Sequence, residues 1–489
     1  MLLINPSSAD YGGKLGRFTP LSLPMSIGCL ASVLIDHGYN GRIWDEEVVE
    51  LNWDILDEAV NGLPKPYIFG ISILTAQAAR GYELARLLKK KFPDCKVITG
   101  SAHPTALPEE SLESGAVDYV VRGEGERVLI ELYEMIRRGK SDPSEILGVS
   151  FLRDGKIVHN PEAPLITDID SLPPFPYHLF VGFLESTHSS KTYDYGFILS
   201  SRGCPYKCSY CSIRMISGNT YRYRSPEKIV EELRVLIEDL GAKNIFFIDD
   251  NFCFKKRRTK EVCAAIEASQ LGKKCNFSLQ TRADNFYPEV VPMLKAAGFG
   301  SVGFGMETGT DELLKLIGKN ETVKQHEDAV RLAKENGMDV ALYMIFGLPN
   351  ETHADRVAAV KLIKKMNPTH IKYNNLIPYP GTPIARDIQK GPRFKKVGVW
   401  ENFTSTLAEI SAPIFTRNPL PHIPESSSEW ELMRDIIRYN ILATLTPEVL
   451  LGVLRRKHGP GWFKLKAQWY FSPTEIFFVS KLATSLLFN

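Results

Sequence analysis

The chain has 489 residues, of which 44% are hydrophobic and 24% charged, and its formal net charge is only +2. This is an ordinary globular composition with material for about two to four domains, and its near-balanced charge gives no basic surface for a nucleic acid. The opening residues MLLINPSSAD lack a basic segment followed by a long apolar run, so no secretory signal is read and a cytoplasmic location is expected.

In chain order, residues 1–140 alternate strand and helix signals. MLLINP is a short apolar run ending in a turn, and Ser22 to His37 carries apolar residues at helical spacing up to Gly38. GRIWD, YIFGISI and KVITGS read as buried strands, with a helix from Ala76 to Lys91 between the last two. VDYVVRGEGE adds a strand and a Gly-rich turn, and RVLIELYEMIRR a closing helix. Such alternation predicts an α/β domain with a parallel sheet covered on both faces, binding ligands outside the carboxyl ends of its strands. Residues 141–190 are expected to be a linker with a small hairpin turning at Asp154-Gly155, followed by a Pro-rich connector.

A second series occupies residues 191–390. Its six strands are YGFILSS, NIFFIDD, CNFSLQT, SVGFGME, DVALYMIFG and HIKYNNLIP, separated by helical patterns. Six strand–helix units predict a partial (β/α)6 barrel of the TIM type, with chemistry at the carboxyl ends of the strands. Residues 391–489 are expected to form a mostly helical segment after a Pro- and Ser-rich stretch.

Three of the eight cysteines fall within eight residues, in Cys204-Pro-Tyr-Lys-Cys208-Ser-Tyr-Cys211, on the loop after the first barrel strand. Three thiolates can hold three irons of a cubane and leave the fourth open to an exchangeable ligand. A structural zinc site usually needs a fourth protein ligand, and the next cysteine is Cys253. The remaining cysteines read as small buried hydrophobes.

This CxxxCxxC loop resembles the radical S-adenosylmethionine (SAM) superfamily over residues 191–390. The resemblance implies a [4Fe–4S] cluster on Cys204, Cys208 and Cys211, with SAM chelating the open iron. It further implies SAM contacts from Tyr210, from Asp249 and Asp250 after the second strand, and from Gln280 and Arg282 at the third. Glu307 at the fourth strand and Gly347 and Glu351 at the fifth complete the set.

In the N-terminal series, Ser72, Thr75, Gly100, His103, Thr105, Gly123, Glu124 and Gly125 sit at successive strand ends. Small and hydroxyl residues there permit close approach of a bulky planar ligand. Together they look like the flavodoxin-like (Rossmann-like) cobalamin-binding domain fused to many radical SAM enzymes. The Asp-x-His-x-x-Gly cobalt-ligand motif is absent, since Asp36 and His37 are adjacent. Cobalamin is therefore expected to lack a histidine below cobalt.

The resemblance is to cobalamin-dependent radical SAM methyltransferases and anaerobic cyclases. It implies a flavodoxin- or ferredoxin-type electron donor, and the hydrophobic C-terminal tail points to a hydrophobic small-molecule substrate, an isoprenoid lipid or a tetrapyrrole, over a sugar or peptide. C-methylation is the first reading, cyclisation or another oxidation the second, and a non-catalytic cobalamin or iron sensor the third. Asn374, Asn375, Tyr379 and the Pro380-Gly381-Thr382-Pro383 turn are candidates for the site's edge. Residues 474–488, TEIFFVSKLATSLLF, read either as an interfacial helix making peripheral membrane contact or as a terminal helix docked on the protein's own core.

Overall fold

The computed structural model describes residues 1–7, 21–188, 193–403 and 419–444. The aromatic and basic residues around Trp462 and Trp469 and the segment 474–488 lie outside them.

The N-terminal sheet is built from β1 (Leu2–Asn5), β2 (Arg42–Asp45), β3 (Ile68–Ser72), β4 (Lys96–Gly100) and β5 (Tyr119–Val121). Their order is β2-β1-β3-β4-β5, all parallel, which is the flavodoxin-like arrangement. Strand alternation assigns side chains to two cores. Leu3, Ile98 and Tyr119 pack on one face with Ile27 and Leu34 of α1 (Met25–Asp36) and Leu132 of α3 (Glu126–Arg137). Leu2, Ile4, Val97 and Val120 pack on the other with Leu84 and Leu88 of α2 (Ala78–Lys91).

The hairpin is not a separate linker piece. Its strands extend the same sheet: β6 (Val149–Arg153) pairs antiparallel with β5, and β7 (Lys156–His159) antiparallel with β6. Asp154 (φ 50°) and Gly155 (φ 74°) give its turn the two left-handed residues of a tight hairpin.

The second sheet runs β8 (Phe197–Ile198), β9 (Asn244–Phe247), β10 (Asn276–Thr281), β11 (Phe299–Glu307), β12 (Asp339–Phe346) and β13 (His370–Asn375). The strands are neighbours in sequence order and all parallel, and β8 does not pair with β13, so the barrel is open. Val302, Phe304, Leu342 and Met344 are fully buried against surrounding helices such as α4 (Val323–Glu335) and α5 (His353–Met366). The alternate positions Ser278, Gln280, Ser301, Gly303 and Tyr343 line the opposite face.

Beyond the barrel, one helix is described, α6 (Glu429–Thr444). It lies along β13, where Asn440 exchanges hydrogen bonds with the Tyr373 backbone (3.0 and 2.7 Å). Arg356 of α5, fully buried, ties it down through Asp435 at 2.8 Å. No helix among the described residues is long and apolar enough to cross a membrane.

Candidate active site

The cysteine loop leaves β8 through Ser201–Arg202, which pairs antiparallel with Arg222–Tyr223, so a two-stranded clasp closes its base. Gly203 sits at φ +85°, and a Cβ there would run into the Thr220 and Ser217 carbonyls. Only glycine takes this turn without strain. The middle of the loop is pinned between two barrel loops: the Ser209 N–H donates to Ile317 O (2.8 Å), and Ser209 O accepts from the Ile384 N–H (3.0 Å).

Cys204, Cys208 and Cys211 are half-buried free thiols on this loop. Burial pushes all three thiols up, Cys211 to about 12. Three free thiols at this spacing on one clasped loop are the donor set of a three-cysteine cubane.

Asp249 and Asp250 diverge. Asp249 is fully buried, and its carboxylate accepts from the hydroxyls of Ser200 and Ser201. Gln280 donates to Asp249 O at 3.1 Å. These two residues build the floor under the loop, with no free face on Asp249 toward SAM. Asp250 accepts from the Gly203 N–H at 3.0 Å; burial and the neighbouring Asp249 charge push its carboxyl up to about 6.

Glu307 ends β11 in the left-handed region (φ 65°), where a bulge in the β11–β12 register turns its side chain toward the loop. Its Oε1 accepts from Tyr210 OH at 2.8 Å and from Lys319 Nζ at 3.0 Å. Arg282 stacks on the Tyr206 ring, 3.6 Å from its centroid, and points Nη1 at Cys208 Sγ (3.9 Å). Glu307 is thus joined to Tyr210, which precedes Cys211, and Arg282 lies beside Cys208.

Gly347 and Glu351 are not free for a ligand. Glu351 accepts from the Gly347 N–H (2.6 Å) and pairs with Arg356, and burial pushes its carboxyl up to about 7. A Cβ on Gly347 would lie 2.9 Å from Leu432 of α6. The close approach that glycine permits here is helix packing.

In the N-terminal domain, Ser72 shares a 2.8 Å hydrogen bond with Ser26 beside the β1/β3 reversal point. Thr75 is buried after β3, Gly100 ends β4, and Thr105 Oγ1 accepts from the Gly123 N–H at 3.1 Å. Gly123 is open: among the described residues nothing lies within 4 Å of where a Cβ on it would stand, whereas a Cβ on Gly125 would lie 3.2 Å from the Leu30 side chain. Two residues depart from the expected role. Glu124 spends its carboxylate on Arg222 (2.7 Å), Arg202 (3.4 Å) and the Ile166 N–H (2.9 Å). His103 is fully buried, bonds Glu110 through Nε2 at 3.1 Å and sits edge-on to Trp400.

The two strand-end sets meet. Helix Ala102–Ala106, after β4, packs on Ile213–Ser217, which follows Cys211. Gly381 lies in the same seam, because a Cβ there would strike Met215 and come within 3.2 Å of Ala106. The Pro380–Pro383 turn thus lies against this seam. Asn375 is buried with both amide atoms unpartnered among the described residues, and Asn374 Oδ1 is unpartnered too. Sequence reading missed Tyr206, Arg202, Arg222, Lys319, Glu321 and Trp400. They are single polar or aromatic residues in loops or in the two-residue strands of the clasp, without a periodic signal, that acquire partners only in the fold.

Residues 198–363 match the Radical SAM superfamily and residues 18–133 the B12 binding domain. An uncharacterized methyltransferase of Pyrococcus horikoshii is 30% identical, the match covering 78% of this chain and 82% of that one. The chain belongs to the cobalamin-binding radical SAM enzymes. The family's cofactors are a [4Fe–4S] cluster, SAM and cobalamin. The anaerobic magnesium-protoporphyrin IX monomethyl ester cyclase of Rubrivivax gelatinosus is 26% identical, covering 79% of this enzyme and 70% of the cyclase. In fold, this radical SAM enzyme is similar to the cobalamin-dependent SAM radical enzyme OxsB (TM-score 0.71, 18% identity), over 98% of this chain and 72% of that one.

Proposed function

We propose that this enzyme methylates an unactivated carbon of a hydrophobic small molecule, an isoprenoid lipid or a tetrapyrrole. The observation that carries the reading is the seam. The cysteine loop and the carboxyl ends of β4 and β5 are joined through helices Ala102–Ala106 and Ile213–Ser217. A methyl group and a carbon radical can combine only if both form in one water-excluded space.

When bound, the reduced cluster supplies the electron that splits SAM into methionine and a 5′-deoxyadenosyl radical, and cobalamin supplies the methyl group. Cys204, Cys208 and Cys211 would hold the cluster. Tyr210, Asp250, Arg282 and Glu307 would orient SAM, with Asp249, Gln280, Gly347 and Glu351 supporting them from beneath. Ser72, Thr75, Gly100, Thr105, Gly123 and Gly125 would line the cobalamin face, with Glu124 and His103 acting behind it. Asp250, held near 6, carries negative charge at neutral pH and suits the SAM ammonium. A small flavodoxin- or ferredoxin-type protein would deliver the electron.

The test is a product assay. Anaerobically reconstituted enzyme is given SAM, cobalamin, a low-potential reductant and lipid or tetrapyrrole extracts. The reading requires 5′-deoxyadenosine and S-adenosylhomocysteine in step with a product heavier by one methyl. Deoxyadenosine with a product of altered hydrogen count, without homocysteine product, would instead establish the cyclase-type reaction.

A further inference from the structure

We propose, on the reading that the turn Gly347–Glu351 supports SAM, that the C-terminal segment Ser426–Asp435 belongs to the SAM site, with Leu432 and Asp435 as positioning residues for SAM.

The turn follows β12 and carries Leu348, which is fully buried in a small apolar cluster with Ile317 and Ile384. Tyr210 packs on that cluster, and the backbones of Ile317 and Ile384 hold Ser209 of the cysteine loop. A shift of the turn therefore reaches Tyr210 and the cysteine loop through close-packed side chains.

Within the turn, the Gly347 N–H donates to Glu351 Oε2 at 2.6 Å and the Glu351 N–H to Leu348 O at 3.0 Å. Further ties come from the C-terminal segment. Ser426 Oγ donates to Glu351 O, and Leu432 closes over Gly347, where a Cβ would lie 2.9 Å from Leu432 Cδ2. Arg356 of α5, fully buried, joins the two sides. Its Nη2 donates to Ser427 Oγ at 3.0 Å, its Nε donates to Asp435 at 2.8 Å, and its Nη1 stands 3.5 Å from Glu351 Oε2.

Asp435 thus governs how Glu351 is used. Held also by His353 Nδ1 at 2.7 Å, it keeps the guanidinium edge, and Glu351 Oε2 keeps its short bond to Gly347. Without the Asp435 charge, the nearest carboxylate left to Arg356 is Glu351, since Glu431 is 3.9 Å away. A buried cation draws in the carboxylate that remains. Glu351 would then leave the Gly347 N–H, and the turn would lose its closing bond. Leu432 acts by shape: Gly347 stands at φ +87° beneath it, and truncating Leu432 opens a void into which the turn can move.

The experiment is equilibrium dialysis of SAM against the full-length, anaerobically reconstituted enzyme, with iron content and cobalamin affinity measured on the same samples. Leu432→Ala and Asp435→Asn are expected to raise the SAM dissociation constant about five- to tenfold, the worth of one hydrogen bond, at wild-type iron content and cobalamin affinity. Leu432→Met, which refills the space, is expected to stay near wild type. Wild-type SAM affinity in either iron-replete variant overturns the proposal, and so does a matching loss of cobalamin affinity, the mark of a general loosening. Should these variants fail to hold iron, Ser426→Ala, at an exposed position, decides alone, and unchanged SAM affinity there overturns the proposal. Iron-replete Gly347→Ala with wild-type SAM affinity would instead remove the turn from the SAM site, a distinct failure.

Discussion

Glu124 meets Arg222 at 2.7 Å with both side chains almost wholly buried, one from the N-terminal domain and the other from the clasp at the cysteine loop. Arg222 Nη1 also donates to Ile166 O and Nη2 to Ser217 O, so a single guanidinium joins domain, connector and loop. Arg222→Met leaves a buried carboxylate with only the longer Arg202 contact and the Ile166 N–H. Breaking such a pair costs about 3–5 kcal/mol. Denaturant unfolding should show a lower midpoint of that order, and cobalamin affinity should fall as the seam loosens. Glu124→Gln should cost less, since the amide oxygen still accepts from Arg222, whose guanidinium keeps the Ile166 and Ser217 carbonyls. Equal stability of Arg222→Met and wild type would show that the junction does not hold the domains.

A second tie is pH-sensitive. Trp400 Nε1 donates to both oxygens of Glu110 (3.0 Å each), and Lys396 pairs with it at 3.3 Å. Burial alone would raise this carboxyl, yet the hydrogen bonds from His103 and Trp400 and the charges of His103 and Lys396 hold it at about 2, against an ordinary 4.5. Between these values the unfolded chain binds more protons, so this stabilisation is complete above pH 4.5 and is lost as pH falls toward 2. Melting temperature against pH should therefore fall more steeply below 4.5 in wild type than in Glu110→Gln. Parallel curves would refute this.

Much of this architecture is legible in the sequence because it rests on periodicity. The six barrel strands and the N-terminal strands have apolar alternation, and the cysteine spacing lies within one loop. What escaped the sequence is what depends on distant partners. Lys319 sits in a polar turn and becomes a buried cation only when Glu307 and Glu321 converge on it. Glu124 stands in a Gly-rich strand end like a ligand residue, but Arg222, 98 residues on, claims it. The hairpin read as a linker because antiparallel addition to β5 leaves no local mark.

His103 gives a spectroscopic prediction. Its Nε2 is committed to Glu110, and its ring is wedged near Tyr82 (6.2 Å between centroids) and Trp400 (5.7 Å). Coordination through Nε2 would break a buried hydrogen bond, a cost of about 1–3 kcal/mol; Nδ1, buried without a partner among the described residues, is the nitrogen the test also covers. The Co(II) form of the bound cobalamin should show no nitrogen superhyperfine splitting from an axial histidine, and His103→Gln should leave the spectrum unchanged. Splitting that disappears in His103→Gln would place the imidazole under the metal.

Gly203 tests whether the loop's shape, and not merely its sulfurs, selects the cluster. An alanine there faces the Thr220 and Ser217 carbonyls at φ +85°, which adds backbone strain of about 1–3 kcal/mol to the steric conflict. The strain falls on the clasp between Ser201–Arg202 and Arg222–Tyr223, away from the barrel core. Gly203→Ala should therefore keep its secondary structure by circular dichroism and melt within a few degrees of wild type. It should bind a minority of the wild-type iron after reconstitution, because Cys204 is the next residue and moves with the turn. It should also lose the Asp250 hydrogen bond, which needs the Gly203 N–H in its present direction. Wild-type iron content in Gly203→Ala would mean that the three thiolates find the cluster without this turn.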